Sequence, residues 1–417
     1  MDKIVVRGGR RLRGQVRIGG AKNAVLPVMA ACLLTRGVSV LRNVPDLKDV
    51  STMALVLAQL GVKTERKGDV VSIDTSRVDS FEAPYDLVRT MRASIYVLGP
   101  LVASLGKARV SLPGGCAWGP RPVDLHIRAM RELGARVEIE HGYIESEARR
   151  LKGCNVTFSA PSVGATANTM MAASRAAGRT VISNAAKEPE IGALAEFINA
   201  MGGKVSGAGS ETIRIEGVGE LAPAEFRIVP DRIETGTYMI AGAITAGAVE
   251  ILDCVPEHVD SITQKLVQSG VKIEKSGSKM LVEGKRPIDS ADVVTAPYPG
   301  FPTDMQAQYM ALMTIARGTS IISETIFRDR FTHVPELRRL GADIKLDGST
   351  AHVGYVKTLS GAPVMATDLR ASAALVLAAL IAEGETHVSR VYHIDRGYEA
   401  IEEKLRGLGA RIERVPE

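Results

Sequence analysis

The chain is predicted to be α/β, with two similar domains that each hold three βαβαββ-type repeats. Three observations predict this. One motif recurs six times, a second runs in phase with it, and the last copy lacks a strand that the chain's first residues supply. The first motif joins the end of an amphipathic helix, a glycine and a short alternating strand, as in "LAQLGVKTE", "MRELGARVE", "INAMGGKVS", "LVQSGVKIE", "LRRLGADIK" and "LRGLGARIE". Its glycines, Gly61, Gly134, Gly202, Gly270, Gly341 and Gly409, are 73, 68, 68, 71 and 68 residues apart. Each fits the helix-ending position where a left-handed backbone favours glycine.

The in-phase motif places helical segments such as "AVLPVMAACLL", "ANTMMAASRAA", "YMIAGAITA" and "ASAALVLAALIAEG" before a glycine and β-rich residues such as "GRTVISNA" or "GAVEILDCV". Each unit then reads as helix, strand, helix, strand and a further short strand. The sixth copy stops at "ARIERVPE", whereas "DKIVVRGG" is an orphan strand at the start of the chain. Letting residues 2–8 complete the sixth unit makes one domain discontinuous, 1–20 with 230–417, and assigns 21–229 to the other. Two crossings between domains create a cleft able to open and close. A solenoid or closed ring without a cleft is the competing architecture.

Composition narrows the functional classes. Of 417 residues 45% are hydrophobic and 24% charged, as in folded globular proteins, and the net charge of +5 is spread along the chain. Bulk nucleic-acid binding is therefore not expected. The N-terminus lacks a signal peptide and no apolar run reaches spanning length, so no membrane insertion and a cytoplasmic location are expected. Four cysteines without paired spacing and seven histidines without ligand spacing point to no metal and no cofactor. A P-loop and a strand-linked G-x-G-x-x-G are also absent.

Chemistry is sought where one repeat departs from the others. "GGAKNAVLPV" puts Lys22 and Asn23 immediately before a helix, where a cation joins backbone N–H groups in an anion site. "SVGATANTM", "PDRIETGTY", "PGFPTDMQAQ" and "MATDLRASAA" open other helices with Ser, Thr, Gly or Asp. Together they suggest helix N-termini facing a common cleft. Arg92, Arg121, Arg330, Arg370 and Arg396 lie near element ends and suit phosphate or carboxylate groups. Asp304 and Asp231 read as bases or caps. "PGGCAWGPRP" sets Cys116 and the only tryptophan, Trp118, in a stretch that forms neither helix nor strand.

Across essentially the whole chain, "GGAKNAVLP", "RTMRAS", "LPGGCAWGPRPVDLHI", "SVGAT", "NAAKEPEI", "PDRIETGT", "FPTDMQAQ", "ATDLRAS" and "YHIDRGYE" resemble the signature segments of the UDP-N-acetylglucosamine enolpyruvyl transferase family. The resemblance implies an inside-out α/β barrel and transfer of the enolpyruvyl group of phosphoenolpyruvate to the sugar 3′-hydroxyl. The reaction would pass through a tetrahedral intermediate that eliminates phosphate, with no metal or organic cofactor. It implies that Cys116 rides on a lid, takes part in protonating the enol methylene and is the target of fosfomycin. Lys22, Arg92, Arg121 and Arg396 would hold the anionic groups of phosphoenolpyruvate, Asp304 would be the base and Asn23 would hold the sugar.

Arg121, Pro122, Val123, Asp124 and Leu125, with Ser162, Val163 and Gly164, would surround the uridine diphosphate. Asp231, Ile326, Arg330, Asp368, Leu369 and Arg370 complete the expected substrate-binding set. Two positions depart from the pattern: Ala160, where some relatives carry lysine, and Trp118, in place of a smaller aliphatic residue. The shikimate-pathway enolpyruvyl transferase is the rival within the fold; Asn23 and Cys116 disfavour it. From another class, a six-repeat nucleic-acid clamp would show salt-dependent duplex binding without phosphate release.

Overall fold

A computed structural model describes residues 2–88, 91–112 and 123–417, with Arg92 described by its backbone only. The chain divides into two compact units, Gly20–Val229 and Met1–Gly19 with Pro230–Glu417.

Within Gly20–Val229, three four-stranded sheets share one order. Val38–Arg42 lies between the parallel edge Glu225–Arg227 and the antiparallel Val70–Asp74, which pairs onward with Lys63–Lys67. Lys107–Ser111 and Arg179–Ser183 hold the corresponding place in the other two sheets. Alternation gives each sheet one apolar face: in Thr212–Glu216, Ile213 and Ile215 are buried and Arg214 and Glu216 exposed. The helices Lys22–Ala31, Leu98–Leu105 and Val163–Ala173 bury most of their surface in this core. Ala165–Ala173 is buried at every position, so this helix has no solvent face, and its alanines and methionines let neighbours approach closely. Each fully buried Val, Leu, Ile or Met side chain in such a core contributes about 1.5–3 kcal/mol.

The second unit repeats the arrangement with three four-stranded sheets and one of two strands. Its buried helices are Arg232–Ile244, Gln306–Met313 and Leu369–Ala379. Asp2–Arg7 lies between Glu385–Ser389 and Arg411–Pro416, antiparallel to both, with Val6 opposite Thr386 and Ile412.

The fourth strand of each sheet is parallel and only two to five residues long. The βαβαββ repeat counts such a strand, but the residues of these strands, among them Arg13–Arg17 against Ala248–Leu252, are not located in the sequence because such short runs carry no usable alternation. The six motif glycines have φ of 88–96°. Each stops its helix with the same pair of bonds, as Gly61 N–H to the Ala58 carbonyl and Val62 N–H to that of Leu57. Among the described residues, no helix is long and apolar enough to cross a membrane.

Candidate active site

In the unit Met1–Gly19 with Pro230–Glu417, the polar side chains gather at the starts of the buried helices. Asp231 caps Arg232–Ile244, its Oδ1 accepting from the N–H groups of Ile233 and Glu234 at 2.7 and 3.0 Å. Asp368 caps Leu369–Ala379 in the same way through Arg370 and Ala371, at 2.8 and 3.0 Å. Thr332 donates to its other oxygen at 2.9 Å. Each cap satisfies orphan helix donors and places negative charge at the positive end of the dipole.

The third helix start carries Asp304, in the turn Thr303–Met305 that leads into Gln306–Met313. Arg330 donates to Asp304 Oδ1 and Arg370 to Oδ2, each at 2.8 Å. Both arginines are buried, 5% and 3% exposed, so the carboxylate is held in plane by two desolvated guanidinium groups. Burial acts to lower the Arg370 pKa, but the charges of Asp304 and Asp231 and the hydrogen bond to Asp304 outweigh it and carry the guanidinium above its ordinary value.

Arg330 also donates to the Thr303 hydroxyl at 2.9 Å, which itself donates to Glu324 Oε2 at 2.8 Å. Glu324 Oε1 accepts from the Thr295 hydroxyl and from the N–H groups of Ile326 and Phe327, at 2.8, 2.8 and 3.0 Å. Thus Glu324, buried and unforeseen from the sequence, fixes the turn bearing Ile326. In "SETIF" it reads as an ordinary surface glutamate, and only the fold reveals its four donors.

Arg396 ends the short helical turn Val391–Arg396. Its neighbour Asp395 accepts from Arg414 at 2.6 and 3.1 Å, and Arg414 also reaches Glu402 at 2.6 Å. Leu369 packs where a side chain at residue 397 would stand; a Cβ on Gly397 would lie 2.6 Å from Leu369 Cδ2.

In the unit Gly20–Val229, Lys22 and Asn23 are the first two residues of their helix rather than residues preceding it. The cap is the backbone of Ala21, with no side-chain bond, so the helix begins two residues earlier than a cap at Asn23 would place it. Lys22 Nζ lies 3.4 Å from Asp49 Oδ2, both largely buried. Val123 occupies the cap position of Asp124–Glu132, with Asp124 and Leu125 in its first turn. Ser162 caps Val163–Ala173 through the Ala165 N–H at 3.3 Å, followed by Val163 and Gly164.

His126 links these two helices. Asn168 accepts from the Gly99 N–H and donates to the Ile95 carbonyl, leaving its second N–H for His126 Nδ1 at 2.9 Å. The ring proton therefore sits on Nε2, against Gly164, where an added Cβ would lie 3.0 Å away. Burial lowers the His126 pKa to about 4 against the opposing charge of Asp124.

Cys116, Trp118, Arg121 and Pro122 lie outside the described residues, as does the Arg92 side chain, whose backbone opens the turn Arg92–Val97. Burial pushes the thiols of Cys32 and Cys254 up to about 12 and about 11, and raises that of Cys154. Among the described residues, no group of three His, Cys, Asp or Glu side chains is placed to hold a metal ion.

Residues 6–405 match the family model described as EPSP synthase (3-phosphoshikimate 1-carboxyvinyltransferase). Two proteins named UDP-N-acetylglucosamine 1-carboxyvinyltransferase, from Desulfatibacillum aliphaticivorans and Geotalea uraniireducens, are 56% and 54% identical to this chain, with 100% of each sequence covered. The crystal structure of the enolpyruvyl transferase NikO from Streptomyces tendae shares the fold with a TM-score of 0.89 and 26% identity, covering 100% of this chain and 99% of that one. EPSP synthase from Acinetobacter baumannii gives 0.76 at 15% identity over the full length of both chains, a likeness of fold alone.

Proposed function

Because this chain belongs to the family of UDP-N-acetylglucosamine 1-carboxyvinyltransferases, we propose that it transfers the enolpyruvyl group of phosphoenolpyruvate to the 3′-hydroxyl of UDP-N-acetylglucosamine, the first committed step of peptidoglycan synthesis. The observation that carries this reading is identity of 53–56% with proteins of that name along the entire length. The family model's shikimate name describes the wider group; identity to the solved EPSP synthases is only 15–16%.

In the transfer the sugar oxygen bonds to C2 of the enol while C3 gains a proton, giving a tetrahedral phosphate ketal. Loss of a C3 proton and of the C2–O bond to phosphate then restores the double bond and releases inorganic phosphate. The barrier falls where fixed cations meet charge developing on phosphate and carboxylate. We assign that role to Lys22, Arg92, Arg121 and Arg396, and acceptance of the hydroxyl proton to Asp304. The buried pair Arg330 and Arg370 aims the Asp304 carboxylate, so its orientation is set before substrate arrives.

Cys116 supports proton addition at C3 and product release, and its thiol is the group that fosfomycin alkylates. Cys32 and Cys254 stay protonated at neutral pH, which favours single labelling at Cys116 on peptide mapping. Asn23 holds the sugar, and the segments Arg121–Leu125 and Ser162–Gly164 surround the uridine diphosphate. Asp231, Ile326, Asp368 and Leu369 complete the lining. The chemistry requires no metal or organic cofactor. The six four-stranded sheets and buried helices support an inside-out α/β barrel of six repeats, three to a domain, and the place of action is the cytoplasm.

Phosphate release from phosphoenolpyruvate is the decisive assay, with UDP-N-acetylglucosamine and shikimate 3-phosphate offered separately. Release is expected with the sugar nucleotide alone; turnover of shikimate 3-phosphate instead would overturn the assignment.

A further inference from the structure

Tyr398 stands two residues beyond Arg396 and is fully buried, and none of the roles above uses it. The proton positions of its hydroxyl follow from its partners. Thr237 Oγ1 spends its own proton on the Ile233 carbonyl at 2.8 Å, so at 2.8 Å from Tyr398 it accepts the phenolic proton. Gln308 Nε2 lies 3.0 Å from the main-chain carbonyl of Asp304, which fixes it as the amide nitrogen; its second hydrogen reaches the Tyr398 oxygen at 3.1 Å.

One hydroxyl thus ties Arg232–Ile244 to Gln306–Met313, and through a single amide it reaches the backbone of Asp304. The ring of the same tyrosine lies under the Arg370 guanidinium, 5.6 Å from its centroid, and Arg370 holds the Asp304 carboxylate. The Tyr398 N–H closes the turn bearing Arg396 by donating to the Ile394 carbonyl at 3.0 Å.

We propose that Tyr398 is a positioning residue for the transfer, seating Asp304 through its hydroxyl and ring and Arg396 through its backbone turn. The inference rests on the assignment of Asp304 and Arg396 to the enolpyruvyl transfer. A tyrosine of the same unit supplies the control: Tyr309 is also buried, and its hydroxyl donates to the Ala291 carbonyl at 3.1 Å, away from both groups.

The test compares Tyr398→Phe, Gln308→Met and Tyr309→Phe with the wild-type enzyme in phosphate release, with thermal unfolding measured beside it. Tyr398→Phe, which removes the hydroxyl but keeps the ring and the backbone turn, is expected to lower kcat about tenfold and leave the KM for phosphoenolpyruvate unchanged, as a small misplacement of Asp304 would. Gln308→Met, which removes the amide's bonds to the Asp304 carbonyl, the Tyr398 hydroxyl and Thr237 but keeps the phenol, should also lower kcat and leave that KM unchanged. Tyr309→Phe should lose stability without that kinetic change. Wild-type kcat and KM in both Tyr398→Phe and Gln308→Met would overturn the proposal, and should Tyr398→Phe fail to fold, Gln308→Met decides alone. Failure of the wild type to release phosphate with UDP-N-acetylglucosamine would instead refute the functional assignment itself, before any variant is compared.

Discussion

The two units end their helices alike and begin them differently. All six motif helices stop with the same glycine geometry and the same two hydrogen bonds. At the buried helix starts, Gly20–Val229 presents a lysine beside a buried aspartate and a serine cap, while the other unit presents Asp231, Asp304 and Asp368 with two buried arginines. Repetition of the stops follows from backbone sterics, which are the same in every copy. Divergence of the starts coincides with the residues proposed for the chemistry, where free N–H groups and dipole attract charged groups of either substrate or side chain.

The largest expected effect tests the divergent end. Asp304→Asn keeps the shape of the side chain but removes the proposed base, and kcat for phosphate release should fall about 10²–10⁴-fold. Near-normal turnover would show that the bracketed carboxylate is structural, and the contrast between starts and stops would lose its functional half.

Next come the buried histidines, one to each unit, His126 and His333, both with pKa lowered to about 4, chiefly by burial. A depressed histidine binds its proton in the unfolded chain first, so its contribution is complete above pH 6.5 and is lost as pH falls toward 4. Within that window each should steepen the fall of unfolding free energy by about 1.4 kcal/mol per pH unit. Denaturant titrations of His126→Gln and His333→Gln between pH 7 and 4.5 check this; a slope equal to that of the wild type would remove the histidine from the account.

The uniform end comes third. Gly134→Ala, Gly341→Ala and Gly409→Ala each meet open space but keep φ above 90°, so each should cost about 1–2 kcal/mol from backbone strain and leave kcat and KM intact. A kinetic change in any one would break the separation of stop from start. The smallest effect is at the caps: Ser162→Ala and Asp231→Ala should each lose about 1 kcal/mol. Asp231→Ala is expected to slow turnover as well, since its charge acts on Arg370, and Ser162→Ala to raise the KM for UDP-N-acetylglucosamine.

This contrast also sets what could be read from the sequence. The stops were legible because a left-handed residue after a helix is nearly always glycine, so geometry leaves a letter. At the starts the letters are ambiguous. Asp231 and Asp368 read as caps or ligands, and Arg330 and Arg370 as candidate clamps, but their convergence on Asp304 joins residues 26 and 66 positions apart. Glu324 left no mark, and His126 and Tyr398, though inside "LPGGCAWGPRPVDLHI" and "YHIDRGYE", carried no assigned role, since burial of a polar side chain depends on neighbours that the local sequence does not contain. The short parallel strands were counted in the βαβαββ repeat but could not be located, for the opposite reason: they have too few residues to show any period.

Asp2–Arg7, the strand held between Glu385–Ser389 and Arg411–Pro416, sets a timetable for folding. It is synthesised long before either neighbour, and Ile4 finds its partners at Val388 and Arg414. Closing so large a loop makes that sheet one of the slow events of folding, because its entropy must be lost before any ladder bond forms. Pulse-labelled amides of Val5 and Val6 should therefore gain protection after those of Val181 and Ile182, whose sheet partners lie within the same stretch of chain.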